Sequence, residues 1–516
     1  MPELKSYVEG RFVGGDASVQ LLNPATEEVV AVAQGGGFDA AAAVRYAREK
    51  GTTSLHGMSF AERGELLARM AGLIHEHRDA LIDTSVANGG TTRGGAKFDI
   101  DGASGTLAAY AELANELEGG HLLADGDGVG LGRGARLHGR HGYVAPEGVA
   151  LLINAYNFPA WGFAEKAATA LLAGMPVISK PATATAWTAA AVTELLVEHA
   201  DMPEGAFHQV IGSVREVLAE MGPQDRVSFT GSSRTAAIIR GTEALVRNSV
   251  HLNVEADSLN ATVLGPDVDR DSDVFPLFIR DVVREMTEKS GQKCTATRRV
   301  IVPEARLEEV IEELRDRLVE FRIGNPVNKE VNLGPLATEE QVNDVHGGMD
   351  RLRAVCDAVC GINRPDELID VAEGKGFFAA PTLFVARSDE AIEQAHRDEV
   401  FGPCAVVIPY SGDADEATAL VRRGGGMLVS SVYSDDRKFL RQVGLGIAPW
   451  CGRVVVVDSK SAGFSLPTGM VMPQLLHGGP GRAGGGEELG GIRGVHHYLH
   501  RVAFQGGRSV VERLFS

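Results

Sequence analysis

From residue 147 onward the chain alternates between short apolar runs and longer helical segments, and this alternation restricts the fold more than any other feature. The runs have the length of buried strands, and the segments between them are long enough to cover a sheet. Short apolar strands that alternate with helices form parallel sheets covered on both faces. The predicted strands are 149–153, 176–180, 207–211, 226–229 and 261–264, with helices at about 161–173, 186–200 and 232–247.

A second block with the same alternation begins near residue 266 and continues to about residue 460. Two amphipathic segments, 59–82 and 103–117, come before the first long strand and are expected to cover the first block. The sequence therefore predicts an α/β fold with two lobes, each built on a parallel sheet. We assign 1–119 and 145–265 to the first lobe, 266–484 to the second, and 120–144 with 485–516 to a projecting arm.

The arm is predicted from two segments that lack a helical stripe. Residues 120–144 are rich in Gly, His and Arg and alternate loosely, whereas 495–504 have the texture of a strand. Neither is expected to be stable alone. We expect them to pair across a subunit boundary and to form a homodimer.

Charge and cysteine content exclude several classes of protein. The formal net charge of −19 argues against nucleic acid and anionic membranes as partners. Five cysteines in 516 residues make no disulfide framework. Residues 1–5 lack the apolar core of a signal peptide, and no apolar run is long enough to span a bilayer. We expect a reduced, cytoplasmic protein. We also expect no metal centre, because Cys356 with Cys360, and the histidines at 496, 497 and 500, lack further ligands.

One cysteine has unusual neighbours. Cys294 lies in Lys-Ser-Gly-Gln-Lys-Cys-Thr-Ala, at 289–296, among small residues that leave room for a substrate. The two lysines are expected to favour its thiolate, which attacks carbonyl carbon well. An inert loop cysteine is the alternative for this stretch alone. Asn157, Glu255 and the run at 399–403 favour the catalytic interpretation.

Polar residues follow three of the predicted strands, and ligands of parallel sheets bind beyond the carboxyl ends of the strands. Asn154 follows the first strand and Lys180 ends the second. Gly231 and Ser232 open a helix whose free N–H groups are suited to phosphate. No G-x-G-x-x-G pattern follows these strands, so a dinucleotide site cannot be inferred from that fingerprint.

Five short motifs, taken in their order and separations, resemble the aldehyde dehydrogenase superfamily over nearly the whole chain. They are Asn-Phe-Pro at 157–159, Lys-Pro at 180–181, Phe-Thr-Gly-Ser at 229–232, Gly-Gln-Lys-Cys at 291–294 and Glu-Val-Phe-Gly-Pro at 399–403. The resemblance implies that the first lobe binds a nicotinamide cofactor and that the second is the catalytic domain.

The resemblance also implies roles for single residues. Cys294 is the expected nucleophile. Glu255 is the base for the cysteine or for water, and Asn157 with the backbone N–H of Cys294 stabilises the oxyanion. The residues implied for the cofactor are Lys180 and Glu399 at the riboses, Phe401 beside the nicotinamide, Ser232 and Gly231 at the pyrophosphate, and Asn154 nearby. Thr183 occupies a position where NAD-preferring members often carry glutamate, so we expect NADP in preference to NAD.

More narrowly, the chain is similar to the aldehyde dehydrogenases of the CoA-thioester routes for aerobic benzoate and phenylacetate breakdown. Segments 253–258, 291–296 and 477–488 carry this similarity. Where the superfamily commonly has Glu-Leu-Gly-Gly, this chain has Glu-Ala-Asp-Ser at 255–258. The expected substrate is a CoA-linked semialdehyde, such as 3,4-dehydroadipyl-CoA semialdehyde, with the phenylacetate-route semialdehyde or a free semialdehyde as alternatives. We expect no fused hydratase domain.

Two other classes of function stay open on the sequence. A cysteine-dependent acyl hydrolase needs a histidine beside Cys294, and none is near it in sequence. A non-catalytic homologue would not need Cys294, Glu255 and Asn157. The sequence leaves two interpretations of Arg298 and Arg299. They contact an anionic substrate, or they are solvated charges at the start of a strand.

Overall fold

The protein is described by a computed structural model that covers residues 1–117, 122–132, 136–361, 364–365 and 367–515. Within these residues the strands in chain order are β1 (Glu3–Val8), β2 (Arg11–Val13), β3 (Ala17–Leu22), β4 (Val29–Gly35), β5 (Leu122–Gly130), β6 (Leu137–Val144), β7 (Ala150–Ile153), β8 (Val177–Lys180), β9 (Phe207–Gln209), β10 (Arg226–Thr230), β11 (His251–Glu255), β12 (Ala261–Leu264), β13 (Arg299–Pro303), β14 (Asp357–Cys360), β15 (Thr382–Val385), β16 (Cys404–Tyr410), β17 (Met427–Tyr433), β18 (Cys451–Val457), β19 (Leu476–Gly478), β20 (Glu487–Leu489) and β21 (His500–Gly507).

The helices cover the two larger sheets and the arm. In chain order they are α1 (Ala40–Tyr46), α2 (Thr52–His56), α3 (Phe60–Glu76), α4 (Arg78–Gly89), α5 (Arg93–Ala114), α6 (Trp161–Ala173), α7 (Ala186–His199), α8 (Arg215–Ala219), α9 (Ser233–Arg240), α10 (Glu243–Arg247), α11 (Val274–Thr287), α12 (Leu307–Leu318), α13 (Glu339–Arg353), α14 (Asp389–Ala395), α15 (Ala414–Arg422), α16 (Arg437–Ile447), α17 (Ile492–Tyr498) and α18 (Arg508–Leu514).

The first lobe is built on a sheet with the order β11-β10-β7-β8-β9-β1-β4-β3, in which β2 pairs with β1. Strands β11, β10, β7, β8 and β9 run parallel. Their side chains are buried on both faces, as near-continuous apolar runs predict. The carboxyl ends of these strands therefore line one edge of the sheet, where the polar residues 154, 180, 231 and 232 follow them.

The second lobe has the sheet order β14-β15-β16-β13-β12-β17-β18, parallel except for β14. The prediction of two α/β lobes with parallel-sheet cores is confirmed. The boundary between the lobes differs from the one expected at residue 265. Strand β12 pairs with β13 and β17 in the second sheet, so the chain crosses between the lobes at 256–260. An apolar run alone does not reveal which sheet it joins.

The arm is an antiparallel sheet with the order β21-β6-β5. Strand β21 pairs with β6 of the same chain along its whole length, so the expected pairing of these segments between subunits is wrong. Of the segment predicted at 120–144, residues 120–121 and 133–135 lie outside the described part of the chain, as does residue 516.

The segment expected to begin a strand at residue 495 starts instead as part of α17. Val495 and Tyr498 are buried against the core of the first lobe and Ile492 packs against it. Their three-residue spacing is that of a helix, and β21 begins only at His500. In the described part of the chain, no helix has the length and apolar character needed to cross a membrane.

Candidate active site

The cysteine loop begins with an unusual backbone after α11. Lys289, Ser290 and Gly291 have φ values of 52°, 57° and 70°. Left-handed conformations cost roughly 1–3 kcal/mol at each residue other than glycine and cluster at functional sites. A Cβ atom on Gly291 would lie 2.1 Å from the carbonyl oxygen of Gly402. Gly291 therefore lets the cysteine loop pack directly on the segment 399–403, which links two of the motifs found in the sequence.

Two asparagines hold this loop by its carbonyl groups. Nδ2 of Asn260 donates to the carbonyl oxygens of Cys294 at 2.7 Å and Ala296 at 2.9 Å. Nδ2 of Asn157 donates to the carbonyl oxygen of Gln292 at 2.9 Å. Asn260 was not found by sequence reasoning, although it lies in the segment that crosses between the lobes. These bonds fix the direction in which the thiol points.

The three predicted catalytic residues line one small cavity of about 40 Å³. Glu255 enters it from the end of β11, Asn157 from the loop after β7, and Cys294 from the second lobe. The sequence separations between them are large, so only the fold brings them together. The cavity is also lined by His477, for which sequence reasoning gave no role.

His477 lies close to both Cys294 and Glu255. Its Nε2 is 3.0 Å from Oε2 of Glu255 and 3.8 Å from Sγ of Cys294. Sγ of Cys294, a ring nitrogen of His477 and a carboxylate oxygen of Glu255 all lie within 4.8 Å of one another. Its sequence signal was its place at the head of the segment 477–488, but histidines in loops are too common for that position to specify a role.

The pKa values of this pair shift in opposite directions. Burial on its own raises the pKa of Glu255, but His477 and Lys166 outweigh it and lower that pKa to about 2. Burial on its own lowers the pKa of His477, but the Glu255 carboxylate outweighs it and raises that pKa. The two groups therefore stabilise each other as imidazolium and carboxylate in a buried setting.

The lysines next to Cys294 in sequence do not provide the cationic environment that the sequence suggested for its thiol. Burial and the carboxylates of Glu255 and Glu165 raise its pKa well above the usual range. The ammonium of Lys293 is bound by Glu285 at 2.7 Å and Glu288 at 2.6 Å. The expectation of a thiolate at rest is therefore wrong. The resting form is a thiol beside a carboxylate.

Further charged groups are buried around the cavity. Glu165 and Lys166 are adjacent on α6, and Nζ of Lys166 is 3.2 Å from Oε2 of Glu488. Burial raises the pKa of Glu165 to about 7. Together with Glu255 and His477, these residues form a group of three carboxyls and two cations. One proton on Glu165 makes the net charge of this group zero. Sequence reasoning missed Glu165 and Lys166, although they are the only charges in an otherwise apolar helix.

The glycine-rich segment places His477 and Glu488 beside β11. The N–H of Gly486 donates to the carbonyl oxygen of Val254 at 3.0 Å. A Cβ atom on Gly486 would lie 2.4 Å from that oxygen, and one on Gly484 would lie 2.3 Å from it. Glycine at these positions allows this segment to approach the strand that ends in Glu255.

The residues expected at a cofactor gather at the carboxyl edge of the first sheet. Lys180, Asn154 and Gly231 follow or end the neighbouring strands β8, β7 and β10. No described carboxylate pairs with Lys180, and burial lowers the pKa of its ammonium. Oδ1 of Asn154 and Oγ1 of Thr230 are buried without a hydrogen-bond partner. Buried polar atoms are rarely left unpaired, so these atoms are suited to receive a ligand.

The expected phosphate site at α9 is partly engaged by the protein itself. Oγ of Ser232 caps the helix by accepting from the N–H of Thr235. Oδ1 of Asp257 accepts from the N–H of Ser233 at 2.9 Å. Thr183 begins a short turn of 3-10 helix three residues after Lys180.

The segment 399–403 approaches this edge from the second lobe. The Glu399 carboxylate accepts from the N–H of Ser258 at 2.9 Å and from Nε of Arg298 at 3.2 Å. Burial raises the pKa of Glu399 to about 7. The ring of Phe401 packs near Tyr156, with centroids 6.1 Å apart.

Arg298 and Arg299 match neither of the two interpretations left open by the sequence. Arg298 is 3% exposed and also donates to the carbonyl oxygen of Gly402 at 2.8 Å. Arg299 is fully buried and donates to the carbonyl oxygens of Leu259, Leu420 and Val421. Both arginines hold backbone segments around the site through these hydrogen bonds. Two adjacent charged residues at the start of a strand therefore did not indicate exposure to solvent here.

The chain is similar to known proteins over most of its length. A 3,4-dehydroadipyl-CoA semialdehyde dehydrogenase of Aromatoleum evansii is 40% identical over 479 residues, which cover 93% of each chain. A non-phosphorylating aspartate-semialdehyde dehydrogenase of Halomonas elongata is 28% identical over 511 residues, 96% of this chain and 94% of the relative. A betaine aldehyde dehydrogenase of Staphylococcus aureus, solved with NAD⁺, has a TM-score of 0.85 at 24% identity and covers 98% of both chains.

The family assignment follows from the extent of the match. The sequence profile of the aldehyde dehydrogenase family matches residues 12–503. The lactaldehyde dehydrogenase of Escherichia coli has the same fold, with a TM-score of 0.84 at 23% identity over 98% of this chain and 99% of that one. The protein belongs to the aldehyde dehydrogenase family.

Proposed function

We propose that this protein is an NADP-preferring aldehyde dehydrogenase that oxidises the semialdehyde end of a CoA thioester to the carboxylic acid. The observation that carries the proposal is the meeting of Cys294, Glu255 and Asn157 in one buried cavity. The relative that shares 40% of the sequence is named for 3,4-dehydroadipyl-CoA semialdehyde, and that compound is the substrate we propose.

The first step is attack of Sγ of Cys294 on the aldehyde carbon. The thiol must lose its proton as the S–C bond forms, and the Glu255 carboxylate receives it. His477 keeps that carboxylate ionised despite its burial. The uphill transfer from a thiol of raised pKa is driven by consumption of the thiolate, so the reactive form arises only when the aldehyde is present.

The oxyanion of the thiohemiacetal is stabilised by fixed donors. One of the two N–H groups on Nδ2 of Asn157 donates to the carbonyl oxygen of Gln292. This hydrogen bond orients the second N–H group. The backbone N–H of Cys294 forms no hydrogen bond within the described residues and is the other donor. Removing one such donor typically costs about 10²–10³ in kcat.

The residues at the carboxyl edge of the first sheet fit a nicotinamide dinucleotide. Lys180 offers an unpaired ammonium, and Thr230 and Asn154 offer unpaired oxygens. Thr230 also lines the Cys294 cavity, so the same edge reaches the reacting cysteine. When it is bound, the nicotinamide supplies the acceptor for the hydride of the thiohemiacetal. Glu255 releases the proton taken from Cys294 to solvent, and its carboxylate then deprotonates the water that hydrolyses the thioester left on Cys294.

NADP is favoured over NAD by the charge at the end of β8. A 2′-phosphate facing Lys180 gains a charge-assisted hydrogen bond of about 1.5–3 kcal/mol, which is one to two decades in affinity. Thr183 carries no charge to repel it. Glu399, Phe401, Gly231 and Ser232 remain the proposed contacts of the riboses, the nicotinamide and the pyrophosphate, although Arg298 and Asp257 already occupy part of their hydrogen-bonding capacity.

A cysteine-dependent acyl hydrolase is a second candidate, because His477 supplies the histidine that this class requires near Cys294. Hydrolysis of a cysteine thioester is also the last step of the proposed reaction. The two are separated by cofactor dependence: a hydrolase turns over thioesters without a nicotinamide, whereas the dehydrogenase consumes aldehyde only with one.

The test is a screen of CoA-linked semialdehydes against the same semialdehydes without CoA, each with NADP and with NAD. We expect the highest kcat/KM for a CoA-linked semialdehyde with NADP. Equal kcat/KM for the free semialdehydes would overturn the substrate assignment and leave the dehydrogenase chemistry standing.

We further propose a cytoplasmic homodimer. Strands β5 and β21 are the outer strands of the arm and β18 is an outer strand of the second sheet. Open strand edges pair readily with another chain. We therefore expect an outer strand of the arm in one subunit to pair with β18 of the other subunit. Light scattering that shows a monomer at micromolar concentration would refute the dimer.

A further inference from the structure

A cluster of arginines lies beside the entrance to the active site. Arg280 and Arg284 project from α11 and Arg317 from α12, and all three line a cleft of about 400 Å³. This volume is in the range of small-molecule sites. A positive cluster stands out on a chain with a net charge of −19 and favours an anionic ligand.

The cations of this cleft are incompletely neutralised. Arg317 forms no ion pair with any described residue. Arg284 is 3.8 Å from Glu288, whose carboxylate is already bound by Lys293 at 2.6 Å. Arg280 pairs with Asp281 while remaining half exposed. Three guanidinium groups in one cleft match the geometry of phosphate oxygens better than that of a single carboxylate.

A third space of about 490 Å³, here called the funnel, lies between the arginine cleft and the cavity of Cys294. The funnel shares Phe98, Trp161 and Val471 with the active-site cavity. At its other end it shares Arg284 and Glu288 with the arginine cleft. The three spaces are therefore neighbours, in the order arginine cleft, funnel and active-site cavity. The inner wall of the funnel is apolar.

We propose that the cleft of Arg280, Arg284 and Arg317 binds the 3′-phosphate and diphosphate of a CoA thioester. The pantetheine arm then follows the funnel, and the semialdehyde end reaches Cys294. This assignment rests on the proposed function, because it needs a CoA-linked substrate. It explains how an acidic enzyme attracts a highly anionic substrate to a buried thiol.

The test compares wild type with the double variant Arg280→Gln/Arg317→Gln. Arg284 is left in place because its partner Glu288 also holds Lys293 in the cysteine loop. The measured quantity is kcat/KM for the CoA-linked semialdehyde divided by kcat/KM for the same semialdehyde without CoA. We expect this ratio to fall by roughly 10²- to 10⁴-fold, since each of the two lost arginines removes a charge-assisted hydrogen bond that contributes about one to two decades.

Arg387→Gln is the matched control, because Arg387 is similarly exposed and lies outside these cavities. It should leave the ratio unchanged. Adenosine 3′,5′-bisphosphate, which carries the 3′-phosphate without the reactive end, should inhibit competitively against the CoA-linked semialdehyde but not against NADP. The double variant should weaken that inhibition by a similar factor.

The possible failures are distinguishable. If wild type shows no preference for the CoA-linked semialdehyde, the proposed substrate class is wrong and the cleft assignment falls with it. If wild type shows the preference but the double variant keeps the full ratio, the substrate class stands and the arginine cleft is not the CoA site. Inhibition by the bisphosphate that competes only with NADP would also overturn the cleft assignment.

Discussion

Replacing His477 with glutamine tests whether the imidazole keeps Glu255 ionised. The two side chains are 4% and 3% exposed and 3.0 Å apart. Removing one partner of a buried ion pair costs roughly 3–5 kcal/mol, which corresponds to about 2–4 pKa units. Burial alone raises the pKa of Glu255. In the variant, Glu255 is therefore expected to take up a proton, because the neutral carboxyl avoids the free-energy cost of a buried, unpaired charge.

The sign of the pH effect follows from this change. In wild type the pKa of Glu255 is about 2, so its carboxylate stays ionised down to pH 5. The low-pH limb of the kcat/KM profile reports the pKa of Glu255. In the variant this limb moves upward by roughly 2–4 pH units. With a limb near pH 6, kcat/KM at pH 5 would be about a tenth of its value at high pH. Activity should recover as the pH rises.

The assay measures kcat/KM from pH 5 to pH 9 and plots the ratio of variant to wild type. Titrations that do not depend on His477 cancel in that ratio, including that of Glu399, whose pKa burial raises to about 7. His497→Gln is the control, since His497 lies on α17 and does not line the cavity of Cys294. A ratio that does not change with pH would refute the proposed role of His477.

Other predictions concern the nucleophile, the base and the cofactor. Cys294→Ala should abolish dehydrogenase turnover and keep cofactor binding, measured by fluorescence titration; normal turnover by the folded variant would contradict the assignment. Glu255→Gln should slow thioester hydrolysis by about 10²–10⁴, so stopped flow should show a burst of reduced cofactor, and unchanged steady-state rates would count against Glu255. Wild type should have the higher kcat/KM with NADP, and Thr183→Glu should shift the ratio toward NAD through weaker NADP binding. An unmoved ratio would show that Thr183 and Lys180 do not select the phosphate.

The lobes were predictable because their signal is local. A buried parallel strand is a short apolar run wherever it lies, and the spacing of apolar residues in α6 and α7 marks them as helices. The position of β12 was not predictable in this way, since its four residues carry no mark of the sheet they join. For β21, the partner segment was predicted correctly, but whether it belongs to the same chain was not predictable, because this depends on the path of the chain between β6 and β21.

The motifs led to Cys294, Glu255 and Asn157, but their electrostatic setting depends on contacts that no local pattern reveals. Lysines next to a cysteine in sequence suggested a thiolate, yet Lys293 turns toward Glu285 and Glu288. His477, 183 residues away along the chain, lies beside the thiol instead. Charges on a loop indicate the local potential only when their partners are known.

The residues at 256–260, which include the departure from the common family pattern at 256–258, form hydrogen bonds to both lobes. Oγ of Ser258 donates to Oδ1 of Asn260 at 2.6 Å and accepts from the N–H of Leu428 at 2.9 Å. Asn260 in turn holds the carbonyl oxygen of Cys294. Asp257 reaches back to the start of α9 through Ser233. A glycine at 257 or 258 would provide none of these side-chain bonds. The departure therefore couples the cofactor edge of the first lobe to the cysteine loop of the second, so that a change at 257 or 258 should disturb both.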